Sequence, residues 1–348
     1  MRRILTLVAL VFLAGCSSSS QSNDPESTTQ RVTTPPATGA TSTPSESLTS
    51  TSPGLPPVED IVEAGAARFD VDDADWIQVI EGSAWTSLSS NVVVRLTPRS
   101  GEQTASIPTA DAACLAMDVG FDSLWTGVCS DPAMVLRIDP RTAKVRASIP
   151  LPGQRLEPEG SLAVGAGAVW AVTTGPERQL LKIDPRTNML VKRFPIPEGV
   201  IGARAGLGGL WLTDPSAGQV IRLDPMTGKT LAKVPTGSGA RFFAVGAGGV
   251  WVQNNADGTV TRVDPETNQA VATIQVDQGA IDGGDLAIGG GFVWARVSGA
   301  LVAKIDPRTN SVVARYGPGY GSGSVAADRD ALWVTAHDVD AVWRLPLR

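Results

Sequence analysis

Residues Gly248–Ile274 read GGVWVQNNADGTVTRVDPETNQAVATI. A glycine turn opens onto an apolar strand phrase around Trp251, a polar loop follows, and a second strand phrase runs into Asp264-Pro265. Proline cannot donate to a strand ladder, and an Asp-Pro-x-Thr-Asn run turns the chain by bonding side chains to backbone. Both phrases return along the chain. The tryptophan stands at 85, 125, 170, 211, 251, 294 and 333, in steps of 40, 45, 41, 40, 43 and 39 residues. The basic-aliphatic-Asp-Pro phrase follows at Arg137, Lys182, Arg222, Arg262 and Lys304, with Thr97 in place of the aspartate in the phrase at Arg95, and in degenerate form at Trp343. A period near 40 residues with several short strands per unit predicts an all-β fold: a seven-bladed β-propeller of four-stranded antiparallel blades.

The unit beginning at Ser161 shows how a blade is built. SLAVG (161–165), VWAVT (169–173), LLKID (180–184) and MLVKRFPI (189–196) read as four strands joined by turns, apolar on both faces and suited to stacking between neighbours. If the turn Gly165–Ala168 takes four residues, Val164 pairs with Val169 and Ala163 with Trp170. The seventh residue before each tryptophan is then its cross-strand partner: Gln78, Asp118, Ala163, Arg204, Ala244, Ala287 and Ala326. Small against large suits close packing. Gln78, Asp118 and Arg204 break that rule, and the arginine beside Trp211 invites a cation–π pair or a place in the channel. The last repeat ends after its third strand, and AARFDV (66–71) resembles the missing fourth. Pairing it there closes the ring.

The chain ahead of the propeller divides in two. Residues 1–15 carry Arg2 and Arg3, an apolar run Ile4–Leu13 and small residues, the pattern of a secretory signal too short to stay in a bilayer. Residues 16–57 are dominated by Ser, Thr and Pro and cannot bury enough apolar surface to fold, so a disordered tether is expected. By coil scaling it reaches roughly 35 Å. The propeller is expected over 58–348. The net charge of −6 and the scattering of basic residues argue against nucleic acid as a partner. A monomer is expected.

The remaining residues offer little catalytic chemistry. Cys114 and Cys129 fall opposite one another in the second repeat, and an exported chain meets oxidising conditions, so a structural disulfide is expected. His337 is the sole histidine, too few for a histidine-based triad or a multi-histidine zinc site. Asp70, Asp72, Asp73 and Asp75 lack the glycine and distal glutamate of a calcium loop. No cofactor is expected, a divalent cation being the one alternative. Propeller geometry gathers second-to-third-strand loops and blade-to-blade connections on one face around the channel. Glu159, Arg204, Arg241, Asn254, Asp285 and His337 are therefore the candidate ligand-binding residues, a mix suited to a small polar molecule, a peptide or a protein. An ordinary polar rim has the same composition.

Two resemblances add expectations. Leu13-Ala14-Gly15-Cys16 resembles a bacterial lipobox, which implies cleavage before Cys16, a diacylglyceryl group on its sulfur and an extracytoplasmic, membrane-anchored protein. The W-V-x-N…R-I-D-P-x-T phrase resembles YVTN-type repeats and, more loosely, virginiamycin B lyase-like seven-bladed propellers. That lyase group uses catalytic histidines on its central face, and this chain has no pair to supply them. Quinoprotein repeats end in a tryptophan after Thr-Gly-Lys, and MTGKTLAKV (226–234) has none. A non-catalytic binding or scaffold module is the leading expectation. A lyase-like enzyme using carboxylates and a divalent cation, and a quinone-dependent oxidoreductase, are the alternatives.

Overall fold

A computed structural model of the protein describes residues 54–109 and 113–348. The expected signal, the lipobox cysteine Cys16 and nearly all of the expected tether lie outside the described residues. The chain forms seven blades. Blade 1 runs outward as Ala74–Ile80, Ser83–Leu88, Val92–Leu96 and Gln103–Pro108. The inner strands of blades 2–7 are Ala113–Gly120, Leu162–Gly165, Gly202–Gly206, Ala240–Gly246, Asp285–Gly289 and Val325–Ala327. Each inner strand packs on both neighbours, and blade 7 packs on blade 1.

Tryptophan register holds in all seven blades, with the expected inner-strand residue opposite each indole. The turn beside it is tighter than expected. Pairing continues to Gly165 and Ala168, leaving Ala166 and Gly167 as a two-residue turn with φ of 49° and 77°. Positive φ at both positions matches the strand twist of a type I′ hairpin.

Closure uses two N-terminal strands rather than one. Ala67–Asp70 is the outer strand of blade 7, pairing antiparallel with Ala341–Pro346. Val58–Asp60, which the repeat pattern does not foreshadow, adds a fifth strand to blade 6 by pairing parallel with Ser311–Gly317.

Apolar packing lies between blades, as stacked sheets with two apolar faces require. One cluster joins Ala163, Trp170 and Val172 of blade 3 to Ala203, Leu210 and Leu212 of blade 4. Every signature tryptophan is 0–1% exposed. Its partner on the third strand is a cation: Arg95, Arg137, Lys182, Arg222, Arg262, Lys304 or Arg344. The charged group lies between 5.0 and 5.9 Å from the indole. Five of these side chains then reach the next blade and donate to the proline carbonyl of its Asp-Pro turn. The distances are 3.1 Å for Arg95 to Pro140, 2.6 Å for Arg137 to Pro185, 3.2 Å for Lys182 to Pro225, 2.6 Å for Arg222 to Pro265 and 2.7 Å for Arg262 to Pro307.

Each such turn is held by its own aspartate. Asp224 accepts from the N–H groups of Met226 and Thr227, which keeps its carboxyl below the usual carboxylate range. A second bond fixes the indole. In blades 2–6 its N–H donates to the last glycine of the inner strand, Gly120, Gly165, Gly206, Gly246 or Gly289. A Cβ on Gly120 would sit 2.5 Å from Val164 of blade 3, so this glycine is needed for space.

Blade 7 has no Asp-Pro turn, and Lys304 rests on Phe292 instead, 3.8 Å from the ring. Arg262→Met and Lys304→Met both keep the aliphatic stem, and the first also removes the bonds donated to Pro307, Asn310 and Gly248. In urea denaturation, Arg262→Met is expected to cost about 1–2 kcal/mol and Lys304→Met less than about 1. Equal losses would show that these donated bonds contribute nothing.

Candidate functional site

Three inner strands depart from regular pairing. Bulges lie between Ala74 and Ile77 in blade 1, Ala113 and Met117 in blade 2, and Ala240 and Phe243 in blade 5. A bulge re-aims the side chains beside it. The first and third place Trp76 and Phe242 against each other across the channel, with ring centroids 5.9 Å apart and exposures of 2% and 5%. The axis has two ends. On one side lies the mouth formed by blade connections and second-to-third-strand loops, the loop face. On the other lies the mouth formed by the inner-strand turns, the turn face.

The second bulge also alters the disulfide register. Cys114 and Cys129 are bonded, with Cα atoms 5.0 Å apart, but Ala113 rather than Leu115 pairs with Val128. The two cysteines therefore meet beside an irregular step of the ladder instead of as a directly opposed pair.

At the loop face Arg241 donates to Glu159 at 2.6 Å, and its guanidinium lies 5.1 Å over Phe242. Beside them Asp75 faces His337, with Nδ1 3.9 Å from Oδ2. Burial pushes Asp75 up to about 6 against the opposing pull of His337, and the Glu159 charge adds to the rise. Arg296 is enclosed next to this group and donates to the carbonyls of Val297, Leu301, Tyr320, Gly321 and Thr335. Burial lowers its guanidinium to about 10. It ties the blade 6 loop to blade 7. Its signal in the sequence is an arginine two residues after the signature tryptophan, where the other repeats carry Ser87, Gly127, Val172, Thr213, Gln253 and Thr335.

On the turn-face side the channel holds a cavity of about 200 Å³. Val79, Val119, Val245, Ile288 and Ala327 line its wall, and Gln78, Asp118, Arg204 and Asp285 line its polar part. Arg204 is the cross-strand partner of Trp211, yet its cation lies over Trp76 at 6.0 Å and Phe243 at 5.8 Å. The cation over Trp211 belongs to Arg222. The guanidinium of Arg204 donates to the carbonyls of Leu162 and Ala203 and stands 3.8 Å from Asp285. Asp285, 1% exposed, accepts from the Leu286 N–H and the Ser324 hydroxyl, each at 2.8 Å. Asp118 accepts from the N–H groups of Val119 and Val164. Burial raises both carboxyls, and Arg204 counteracts it in part; Asp285 reaches about 6.

The six candidate residues thus separate. Glu159 and Arg241 form one pair at the loop face, with His337 at the same mouth. Arg204 and Asp285 form another on the turn-face side, although Arg204 also lines a small space beside Glu159 and Arg241. Asn254 lies in strand Gly249–Asn254, fully buried, donating to the Thr259 and Thr261 hydroxyls and accepting from the Gly237 N–H. It is enclosed within its own blade. Asp70 pairs with Arg68 while Asp75 faces His337, so the acidic stretch 70–75 does not converge. Among the described residues no three His, Cys, Asp or Glu side chains gather as a cation site.

Folding raises Asp285 from 3.8 to about 6, so its protonated form is favoured in the folded state. The ionised carboxylate then opposes folding above pH 6, and the penalty disappears as pH falls from about 6 to about 4. That displacement corresponds to about 3 kcal/mol. Thermal unfolding across this range should show wild type gaining stability relative to Asp285→Asn as the pH drops. Parallel curves would mean that the carboxyl titrates normally.

No family model matches the chain, and no curated protein matches it in sequence. Solved structures do match. A streptogramin B lyase structure is 12% identical, covering 80% of this chain and 96% of that one, with a TM-score of 0.65. The Pan2 WD40 domain of Neurospora crassa is 13% identical over 79% and 90%, with a TM-score of 0.64. A chain of the mitotic checkpoint complex is 10% identical over 80% and 93%, with a TM-score of 0.66. At these identities the likeness is one of fold: an all-β propeller with WD40-like neighbours.

Proposed function

We propose that the protein is a lipid-anchored, extracytoplasmic binding module that holds a protein or peptide partner on its loop face. The observation that carries this reading is the Trp76–Phe242 barrier beneath a rim of already paired charges. Glu159–Arg241, Glu157–Arg178 and Asp131–Arg155 give that face a shallow, polar surface of fixed charges instead of a deep cleft. Such a surface suits a polar macromolecular contact better than enclosure of a small substrate. The WD40 neighbours support the reading by analogy of fold. The Leu13-Ala14-Gly15-Cys16 motif and the Ser/Thr/Pro-rich stretch after it support the anchor and the tether.

A second reading rests on Asp75. A carboxyl raised to about 6 beside the sole histidine is a candidate general base, and streptogramin B lyase is among the fold neighbours. In this reading the carboxylates act with a divalent cation.

The full chain, expressed in bacteria with photo-crosslinkers at Arg155 or Glu157, should give a discrete adduct. Control positions Arg186 and Arg308 should give none, and Cys16→Ser should release the protein from the membrane fraction. Adducts from both sets, or from neither, would overturn the loop-face reading. Depletion of a streptogramin B with Mg²⁺ present, abolished in Asp75→Asn, would replace it with the enzyme.

A further inference from the structure

The turn-face cavity has an architecture of its own. The residue six positions before each signature tryptophan is Val79, Val119, Val164, Ala205, Val245, Ile288 or Ala327, one aliphatic side chain per blade at the turn end of the inner strand. All seven are partly exposed, although strands of this propeller bury most of their aliphatic residues. Five of them line the cavity wall, and together they form an aliphatic collar around the channel mouth. In blades 3–7 the collar residue packs directly against the inner-strand glycine of the preceding blade, where a Cβ would crowd it. The collar is thus built into the repeat, and it opens to solvent.

Below the collar the balance of charge is unequal. Asp118 and Asp285 face one guanidinium, that of Arg204, and the amide of Gln78. Arg204 spends hydrogen bonds on two backbone carbonyls and comes no nearer to Asp285 than 3.8 Å, beyond hydrogen-bonding distance. Gln78 donates to the Met117 carbonyl. Asp285 is therefore a buried carboxylate with hydrogen bonds from an N–H and a hydroxyl, and Arg204, which it shares with Asp118, is its one counter-charge. A buried charge without a close counter-charge is costly. The raised carboxyls of Asp118 and Asp285 report that cost. The Trp76–Phe242 pair lies deeper in the channel, with the Arg204 guanidinium over Trp76, and the cavity forms a well at the turn face.

We propose that this well binds a small organic cation with an apolar body, its ammonium group between Asp118 and Asp285 and its alkyl part against the collar. Anions are disfavoured by the two carboxylates, and inorganic cations gain nothing from the aliphatic wall. At about 200 Å³ the well is smaller than the roughly 300–1,000 Å³ of pockets for drug-sized ligands, so the ligand is small. The inference concerns the opposite mouth from the proposed partner surface and does not depend on it.

Calorimetric titration of the full chain with n-butylammonium, tetramethylammonium, butyrate and n-butanol tests the assignment. Saturable binding of the ammonium ions at or below about 10 mM is expected, with no response to butyrate and at least about tenfold weaker response to butanol. Asp285→Asn should weaken the ammonium ions about tenfold or more, and Ile288→Phe, which fills the collar but spares the charges, should do the same. Affinity should also fall as the pH drops below 6, with Asp118 and Arg204 the other charged groups facing Asp285. No ammonium binding, equal binding of butanol, or affinity unchanged in both variants would overturn the proposal. The loop-face crosslinking outcome is unaffected by any of these results.

Discussion

A cation stacked on its own blade's tryptophan and donated to the next blade's proline carbonyl is the contact on which this ring depends. It links the two halves of the repeat. The tryptophan fills the space between sheets, the basic residue opposite covers it, and the Asp-Pro turn presents a carbonyl where that residue ends. Sheets with two apolar faces would slide if held by burial alone, because hydrophobic attraction has no direction. The donated bond fixes the angle and height of one blade on the next at five of the seven interfaces. The indole N–H does the same within a blade by holding the end of the inner strand.

That coupling explains why the fold was so legible and the channel much less so. A phrase that must satisfy both neighbours recurs with nearly constant spacing, so blade number, strand order and the partner of every tryptophan could be read directly. Trp76 and Phe242 carry no such signal. They reach the axis because bulges insert residues into the inner strands, and a bulge leaves no trace in the spacing of the tryptophans. Gln78, Asp118 and Arg204 were visible as polar residues where alanine was expected. What each touches was not visible, since Arg204 meets Asp285 from another blade. Asn254 shows the opposite failure. It reads as a loop residue beside Asn255, but the strand extends one residue further and encloses it.

The channel has two unlike mouths. One is rimmed by paired charges on loops of varied length, where sequence can change without disturbing the blades. The other is rimmed by the repeat itself, so its character follows from the same residues that build the ring.

The N-terminal strands bear on how the ring is made. Val58–Asp60 and Ala67–Asp70 take partners at Arg315–Gly317 and Ala341–Arg344, at the far end of the chain. During synthesis the first residues of the domain must wait, unpaired, until nearly the last have been added. Closing so long a loop costs entropy and delays folding. Blades 1–5 contain all of their own strands and can assemble in order as they appear, whereas blade 7 exists only once both ends of the domain have met. Completion of the wheel therefore reports that the whole domain has been made, and a chain cut before Ala341 is left with Ala67–Asp70 unpaired, an exposed strand that marks it as unfinished.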